Sequence, residues 1–470
     1  MKEFPIADLV TITGAELQAS RCEYEVSSFT GVSTDSRTTK AGDCFFAIPG
    51  EHFDGHDYVA DAFVKGAVCA VVSKDIDAEL SAGKCLLKVE DTIRALGELA
   101  REYRRRAGYK VVAITGSAGK TTTRQIIYHA LGRRFRVHQS PKSFNNQIGL
   151  PLTLLGAPAE TQVVIAELGS NHPGEISGLT RIAEPDIAVV TNVYPAHLEG
   201  FGDVQTIVQE KSSIAEGLSP DGVLIINGDF DRLLDACRAG GVKFITFGKS
   251  DGVDYRTGNI HSDGSASRFT IDGAEIYLPL AGPGNVENAL AAWAVCSQLG
   301  LTIEDFAQAV EILPPVSMRA ELLGIGTLTV LSDCYNANPA SMRNALDILA
   351  GLDPTGRRRE VFICGDMAEL GNQAEQLHRE LGAYIARKGV QLLLAVGTSS
   401  KIAAMAAQEN ADYDLHIKCF ADTVSARNKL NEYIKDYDII LVKGSRVAKL
   451  EVLVEKLNEL FSRSLSRKVR

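Results

Sequence analysis

Thr115-Gly116-Ser117-Ala118-Gly119-Lys120-Thr121 is the stretch of this chain best equipped for chemistry. An apolar run, Val111 to Ile114, precedes it, and a helix-like segment, Thr122 to Leu131, follows. A strand, a glycine-rich turn ending in Lys-Thr, and a helix make a cradle for phosphate. Backbone N–H groups and the positive end of the helix dipole face the anion, Lys120 reaches the β- and γ-phosphates, and the Thr121 hydroxyl can ligate Mg²⁺. The longer form of this pattern has a glycine five residues before Gly119, where this chain has Ile114, so the match is to T-G-x-x-G-K-[ST]. The expected nucleotide-binding set is Gly116, Ser117, Ala118, Gly119, Lys120, Thr121 and Thr122. The competing reading is a loop that only turns the chain. The strand and helix on either side favour binding and cleavage of a nucleoside triphosphate.

Further along lie groups that suit such a cradle. Glu167 ends the apolar run Val163–Leu168, and His197 follows the run Ile187–Thr191. In a doubly wound sheet, ligands bind beyond the carboxyl ends of the strands, so both are expected to converge above Lys120. Mg²⁺ takes an imidazole only where oxygen ligands dominate, and a loop histidine bonded to backbone explains His197 equally well. Lys211, within Glu210-Lys211-Ser212 on an expected helix Val204–Leu218, reads as a solvated surface lysine. Asn285 and Asn288 stand three residues apart on one helix face after Gly282-Pro283-Gly284. Their amides suit an adenine edge, and N-capping by Asn285 is an equal alternative. Asp333-Cys334-Tyr335-Asn336-Ala337-Asn338-Pro339 is expected to end the first strand of a third domain. It is either a binding loop or a turn with an N-cap.

These residues need elements to hold them. At 470 residues the chain exceeds one core, and several domains are expected. Up to about Lys88 the pattern is short strands and turns with one helix, Tyr58–Lys65. Asp91–Arg106 is a charged amphipathic helix, and from Tyr109 strands and helices alternate. Arg268–Leu280, with Asp272-Gly273 at its middle, predicts a hairpin, and Asn285–Leu299 a helix. After Pro314-Pro315, apolar runs at Leu328–Leu331, Val361–Cys364, Leu392–Val396 and Ile439–Val442 predict a second doubly wound unit. Ser462–Arg470 reads as a basic, frayed tail. A net charge of −10 argues against nucleic acid as a partner. Nine scattered cysteines without a C-x-x-C pair suit reduced thiols and give no zinc site. No run approaches the length of a membrane span, and the first ten residues lack a signal-peptide core, so a cytoplasmic address is expected.

Together the motifs resemble the Mur ligase family of ATP-dependent amide-forming enzymes of peptidoglycan assembly. They are Thr115-Gly116-x-x-Gly119-Lys120-Thr121, Glu167-Leu168-Gly169, Thr191-Asn192 with His197-Leu198, Asn285-x-x-Asn288-Ala289, Arg319 and Lys443-Gly444-Ser445-Arg446. Within the family four segments resemble the member that adds D-alanyl-D-alanine to a UDP-muramoyl-tripeptide. These are Asp35-Ser36-Arg37 with Gly42-Asp43 and Asp54-Gly55-His56, Asn145-Asn146-x-x-Gly149-x-Pro151, the Asp333–Pro339 loop, and Gly365-Asp366-Met367-x-Glu369-Leu370-Gly371. The D-N-P-R string of the sibling that adds a diamino acid is absent.

The resemblance implies an α/β chain of three domains. These are a small N-terminal domain for the UDP-sugar (1–89), a central P-loop ATPase domain with a mostly parallel sheet (90–313), and a Rossmann-like C-terminal domain for the amine (314–470). It also implies ATP, two Mg²⁺ ions and a carbamylated Lys211. Thr121, Glu167, His197 and Lys211 would be the metal ligands, and Lys120, His197, Lys211 and Arg319 the catalytic set. Asn285, Asn288, Arg319 and Asp333 would complete the ATP site. Asp35, Ser36, Arg37, Asn145, Asn146, Asn336 and Asn338 would bind substrate. A monomer without membrane or nucleic-acid partners is expected. Two departures stand out: Gly284 replaces a usual histidine, and Ser212-Ser213 replaces Gly-Glu after the lysine. The rival readings are another ligase of this fold, such as a folylpolyglutamate synthase, and a non-catalytic ATP-binding scaffold.

Overall fold

The computed structural model describes residues 1–18, 27–77, 84–141 and 143–462. Most of the expected tail therefore lies outside the described residues. Three sheets of substantial size follow one another along the chain.

The first has five short strands in the order Glu16–Leu17, Cys85–Lys88, Cys69–Val72, Asp43–Phe46, Gly31–Ser33, with only the first pair antiparallel. The helix Val59–Val64 meets the expectation, but a second one, Ile6–Thr13, does not. It is a single short amphipathic stretch that buries only Ile6 and Leu9, too brief for its period to stand out. Seven described cysteines are free, but Cys85 is disulfide-bonded, so the expectation of uniformly reduced thiols fails there. Bonding reach between sulfurs is a tertiary property that spacing along the chain does not encode.

The helix Thr92–Ala107 links the first sheet to the second. Asp91 caps it by accepting from the N–H groups of Ile93 and Arg94, and Gly108 ends it with φ 73°. Its buried stripe, Ala95, Leu96, Leu99, Ala100 and Tyr103, recurs at three- and four-residue steps. Its other side carries arginines, of which Arg101 and Arg105 pair with Glu184 and Arg104 pairs with Asp186.

The second sheet has nine strands, ordered Ala274–Leu278, Ser267–Ile271, Tyr255–Ser262, Phe244–Gly248, Val223–Asn227, Ile187–Val190, Lys110–Thr115, Val163–Glu167, Val137–Gln139. The last seven of these are parallel, and the expected hairpin forms the antiparallel end with its turn at Asp272-Gly273. Strands 110–115, 163–167 and 187–190 are almost wholly buried, as parallel strands covered on both faces must be. Lys110–Thr115 lies between Ile187–Val190 and Val163–Glu167, and the crevice beyond its carboxyl end is where a sheet of this kind would take a ligand.

The third sheet is ordered Glu321–Ile325, Leu328–Ser332, Ile439–Lys443, Glu360–Gly365, Leu392–Val396, His416–Phe420. Its first strand is Glu321–Ile325, antiparallel to the next, so the Asp333 loop follows the second strand rather than the first. This edge strand is half exposed and broken by Gly324, which hid it from a search for apolar runs. No described helix is long and apolar enough to cross a membrane.

Phe362 is fully buried in the strand Glu360–Gly365. Phe362→Ala is expected to cost about 3–5 kcal/mol of C-terminal stability through lost transfer energy and a residual cavity. Urea denaturation followed by a probe in that domain measures it, and a loss below about 1 kcal/mol would contradict this core assignment.

Candidate active site

The glycine-rich loop joins the strand Lys110–Thr115 to the helix Lys120–Leu131, as the pattern predicts. Gly116 has φ 144° and Gly119 φ 82°, conformations that favour glycine. Space matters as much: a Cβ on Gly116 would lie 2.0 Å from Thr191 Oγ1, and one on Gly119 2.1 Å from Asn288 Oδ1. Thr191 and Asn192 brace the loop from the neighbouring strand end. Thr191 Oγ1 donates to Ala118 O (2.7 Å), and Ala118 N donates to Asn192 Oδ1 (2.9 Å). Lys120 folds back so that Nζ donates to Gly116 O at 2.7 Å. Burial pushes its pKa down to about 8, against the attraction of Glu167. An anion in the loop would supply the countercharge that this ammonium lacks.

Glu167 ends the adjacent strand and stands opposite Ile114 in the ladder, level with the start of the loop. It is 1 % exposed. Its Oε1 lies 3.2 Å from Arg124 Nη1, which also donates to Ser140 O at 2.5 Å. Thr121 Oγ1 is buried and makes no hydrogen bond to any described residue, and Glu167 Oε1 makes only the ion pair. A hydroxyl and a carboxylate oxygen, both buried and underused, are the hard donors that Mg²⁺ takes. The residues fit the ion. Among the described residues there is no cluster of three or more His, Cys, Asp or Glu of the kind that holds a metal by protein ligands alone.

Lys211 corrects the surface reading. It is 2 % exposed, and Nζ donates to Ser170 Oγ at 2.7 Å and lies 5.6 Å from the Phe201 ring centre. The helix is shorter than expected, Val204–Ser212, and passes into a 3₁₀ turn. Glu210 anchors it, its carboxylate accepting from the N–H groups of Gly174 and Ile176 at the start of another helix. Burial, and then Lys120, push the Lys211 pKa down to about 7. A lysine with a substantial neutral fraction near pH 7 can act as a nucleophile rather than only as a solubilising charge. His197 is no backbone-bonded loop histidine: its Nδ1 meets the Glu369 carboxylate of the C-terminal domain.

One cavity of about 970 Å³ runs between the central and C-terminal domains. Its walls include Ser117 to Thr122, Asn145, Asn146, Glu167, His197, Asn285, Asn288, Arg319, Asp333, Asn336 and Asn338. Asn285 is not an N-cap, since Gly282 takes that position in the helix Pro283–Gln298. Instead the asparagines form a chain: Asn285 Nδ2 donates to Ala281 O, Asn288 Nδ2 to Asn285 Oδ1, and Thr123 Oγ1 to Asn288 Oδ1. At Gly284 a Cβ would lie 3.0 Å from Asn344 Oδ1, a tight approach to a side-chain atom, and the Gly284 N–H donates to that same atom.

Across the cavity, Asp333 pairs with the buried Lys443 at 2.6 Å and accepts from Ala320 N. Lys443 also donates to Asn336 O. Asn338 is both an N-cap and a contact. It closes a capping box with Ser341 on the helix Pro339–Gly351 and donates from Nδ2 to Ser117 O in the phosphate loop. Arg319 stacks on Tyr335 at 4.3 Å from the ring centre.

Asp35, Ser36 and Arg37 do not line this cavity. Asp35 and Arg37 form a forked ion pair on the first domain, with Arg37 held out in solvent and the Asp35 pKa pulled to about 2 by that bond. His56 nearby is structural, accepting from Ser73 N and facing Asp54. The sequence reading missed Arg124, Ser170 and Glu369 as site groups. Arg124 carried a local signal, lying four residues beyond Lys120 on the same helix face, and Glu369 stood within the Gly365–Gly371 segment without a role given to it.

Three family models match in chain order: "Mur ligase family, catalytic domain" over residues 28–104, "Mur ligase middle domain" over 114–296, and "Mur ligase, glutamate ligase domain" over 318–446. The UDP-N-acetylmuramoyl-tripeptide–D-alanyl-D-alanine ligase of Bacillus subtilis is 35% identical over 457 residues, which is 97% of each chain. MurF from Acinetobacter baumannii superposes with a TM-score of 0.88 at 31% identity, over 98% of this chain and 99% of that one. MurF ligase from Thermotoga maritima, in complex with ADP, gives 0.81 at 25% over 92% and 98%. A folylpolyglutamate synthase of Mycobacterium tuberculosis shares the fold alone, at 0.61 and 16% over 77% and 94%. This chain belongs to the Mur ligase family.

Proposed function

We propose that this protein uses ATP to join D-alanyl-D-alanine to the terminal carboxylate of UDP-N-acetylmuramoyl-tripeptide, yielding the pentapeptide, ADP and phosphate. One observation carries the reading: the phosphate cradle and the Asp333–Pro339 loop face each other across one cavity and touch through Asn338 and Ser117. The near full-length similarity to ligases of that name supports the choice of substrates. The domains are assigned as 1–89 for the UDP-sugar, 90–313 for ATP and 314–470 for the amine.

The chemistry follows from the parts. A carboxylate is a poor acyl donor because an oxide anion is a poor leaving group. Its oxygen attacks the γ-phosphorus of ATP, the bond to the β,γ-bridging oxygen breaks, and ADP leaves. The amine of D-alanyl-D-alanine then adds to the acyl carbon, loses a proton, and expels phosphate. The protein's share is positioning and charge neutralisation. Lys120 and the loop N–H groups hold the phosphates, Arg319 meets the γ-phosphate, and Asn285, Asn288 and Asp333 frame the nucleoside. Asn145, Asn146, Asn336 and Asn338 line the acceptor side, and Asp35, Ser36 and Arg37 serve the UDP end. Thr121 and Glu167 would hold one Mg²⁺, and His197 and Lys211 a second. Bound Mg²⁺ neutralises phosphate charge as a Lewis acid.

Lys211 is proposed to act as a carbamate. Its neutral amine adds CO₂ and releases a proton, turning a buried ammonium near Lys120 into an anionic oxygen donor. The pKa of about 7 supports this, because only the neutral amine reacts. The cytoplasm and a monomeric state complete the reading.

Lys120→Ala is expected to keep its fold and lose at least ~10²-fold in kcat, since Lys120 is partly exposed and its removal opens no core. Phosphate release from ATP with UDP-muramoyl-tripeptide and D-alanyl-D-alanine measures it, and near wild-type turnover would refute the cradle assignment.

Lys211→Ala should be folded and nearly inactive, with formate or acetate restoring part of the rate by filling the vacated space. Lys211→Arg should stay inactive, because it keeps the charge but cannot take up CO₂. Bound carboxyl, followed by ¹³CO₂ NMR, should decline as pH falls through about 7, where the amine becomes protonated and unreactive. An active Lys211→Arg enzyme would end the carbamate assignment.

A further inference from the structure

His197 and Glu369 belong to different domains, yet three contacts join them and their neighbours. The side-chain contact runs from His197 Nδ1 to Glu369 Oε2. A second contact is built from backbone, with Glu199 N donating to Glu369 O at 3.1 Å. A third is steric, since a Cβ on Gly371 would lie 3.3 Å from Glu199 Cα. Both partners hold uncommon conformations: His197 has φ 52° and Glu369 φ 61°, in the left-handed region that few non-glycine residues adopt. Glu369 is also half exposed, at 47 % of its side chain, so it is not there to fill a core. An ordinary surface ion pair has no need of two strained backbones and a main-chain bond.

We propose that Glu369 is a positioning residue for His197, and that docking of the C-terminal domain is what completes this corner of the active site. This deepens the proposed function and rests on it. A carboxylate against Nδ1 selects the tautomer with its proton on Nδ1, which leaves Nε2 with a free lone pair. Withdrawn, Glu369 no longer distinguishes the two nitrogens. The basic nitrogen is thus set only when the amine-carrying domain is closed, so that ATP cleavage is tied to the presence of the second substrate's domain.

The test uses two variants of the full-length protein. Glu369→Gln keeps an acceptor of the same reach, and Glu369→Asn tolerates the left-handed backbone but is too short to reach His197. Glu369→Asn should lose ~10–100-fold in kcat with KM for ATP changed less than ~2-fold, while Glu369→Gln stays within a few-fold of wild type. Ring ¹⁵N shifts, recorded without nucleotide or metal and assigned by His197→Gln, should report the Nδ1–H form in wild type and Glu369→Gln, and its loss in Glu369→Asn. A fully active Glu369→Asn enzyme with an unchanged His197 tautomer overturns the inference and leaves the proposed function standing. A wild type that is inactive on the named substrates, with the tautomer change still seen, overturns the function and upholds the contact.

Discussion

Glu167 stands opposite Ile114 and Val190 opposite Thr115, so three parallel strands end at one level. Every group at the centre of the molecule depends on that register. A shift of one residue would turn Glu167 to the other face of the sheet and carry Thr191 away from the loop it braces. Strands of β-branched and aliphatic residues, buried on both faces, fix the register because no slipped pairing keeps all of them out of water. The chemistry therefore sits at the ends of fully buried strands.

The site so built is electrostatically incomplete. Lys211 is enclosed by protein and Lys120 lies at the cavity wall, and desolvation pushes both toward neutrality, while Arg124 leans on Glu167. Buried cations without full countercharge are unfavourable until an anion or a modification compensates them. Phosphates in the loop meet that need for Lys120. Thr121 carries the matching deficit, a buried hydroxyl with no described partner. The fold thus stores part of its unmet polar demand where ligands would satisfy it.

Directional polar contacts tie the C-terminal domain to this centre, beside the buried apolar residues the two domains share. Asn338 reaches Ser117, Tyr335 reaches Ser143, and Glu369 reaches His197. Directional polar contacts of this kind suit surfaces that must part and rejoin. The same loop that ends the strand Leu328–Ser332 also caps the helix Pro339–Gly351, so Asn338 serves the helix and the site at once.

Much was legible in the chain itself. The glycine-rich loop, the hairpin at Asp272-Gly273, the capped helix beginning at Thr92 and the buried parallel strands each carry their cause locally, in backbone freedom, turn chemistry or hydrophobic period. Edge strands such as Glu321–Ile325 and the short helix Ile6–Thr13 were not legible, because half-exposed or brief elements have weak patterns. The site residues divide in the same way. Gly116, Gly119 and Lys120 act through their own loop, and their spacing alone reveals them. Lys211 looked like a surface lysine because its neighbours in sequence are polar, and only the packing of Ser170 and Phe201 around it makes it a buried, lowered-pKa amine. Glu369 meets His197 across 172 positions of chain, and Arg124 meets Glu167 across two elements. Local sequence determines which conformations a segment prefers. Burial and charge partnership are set by residues far away in the chain, so tertiary structure alone decided them.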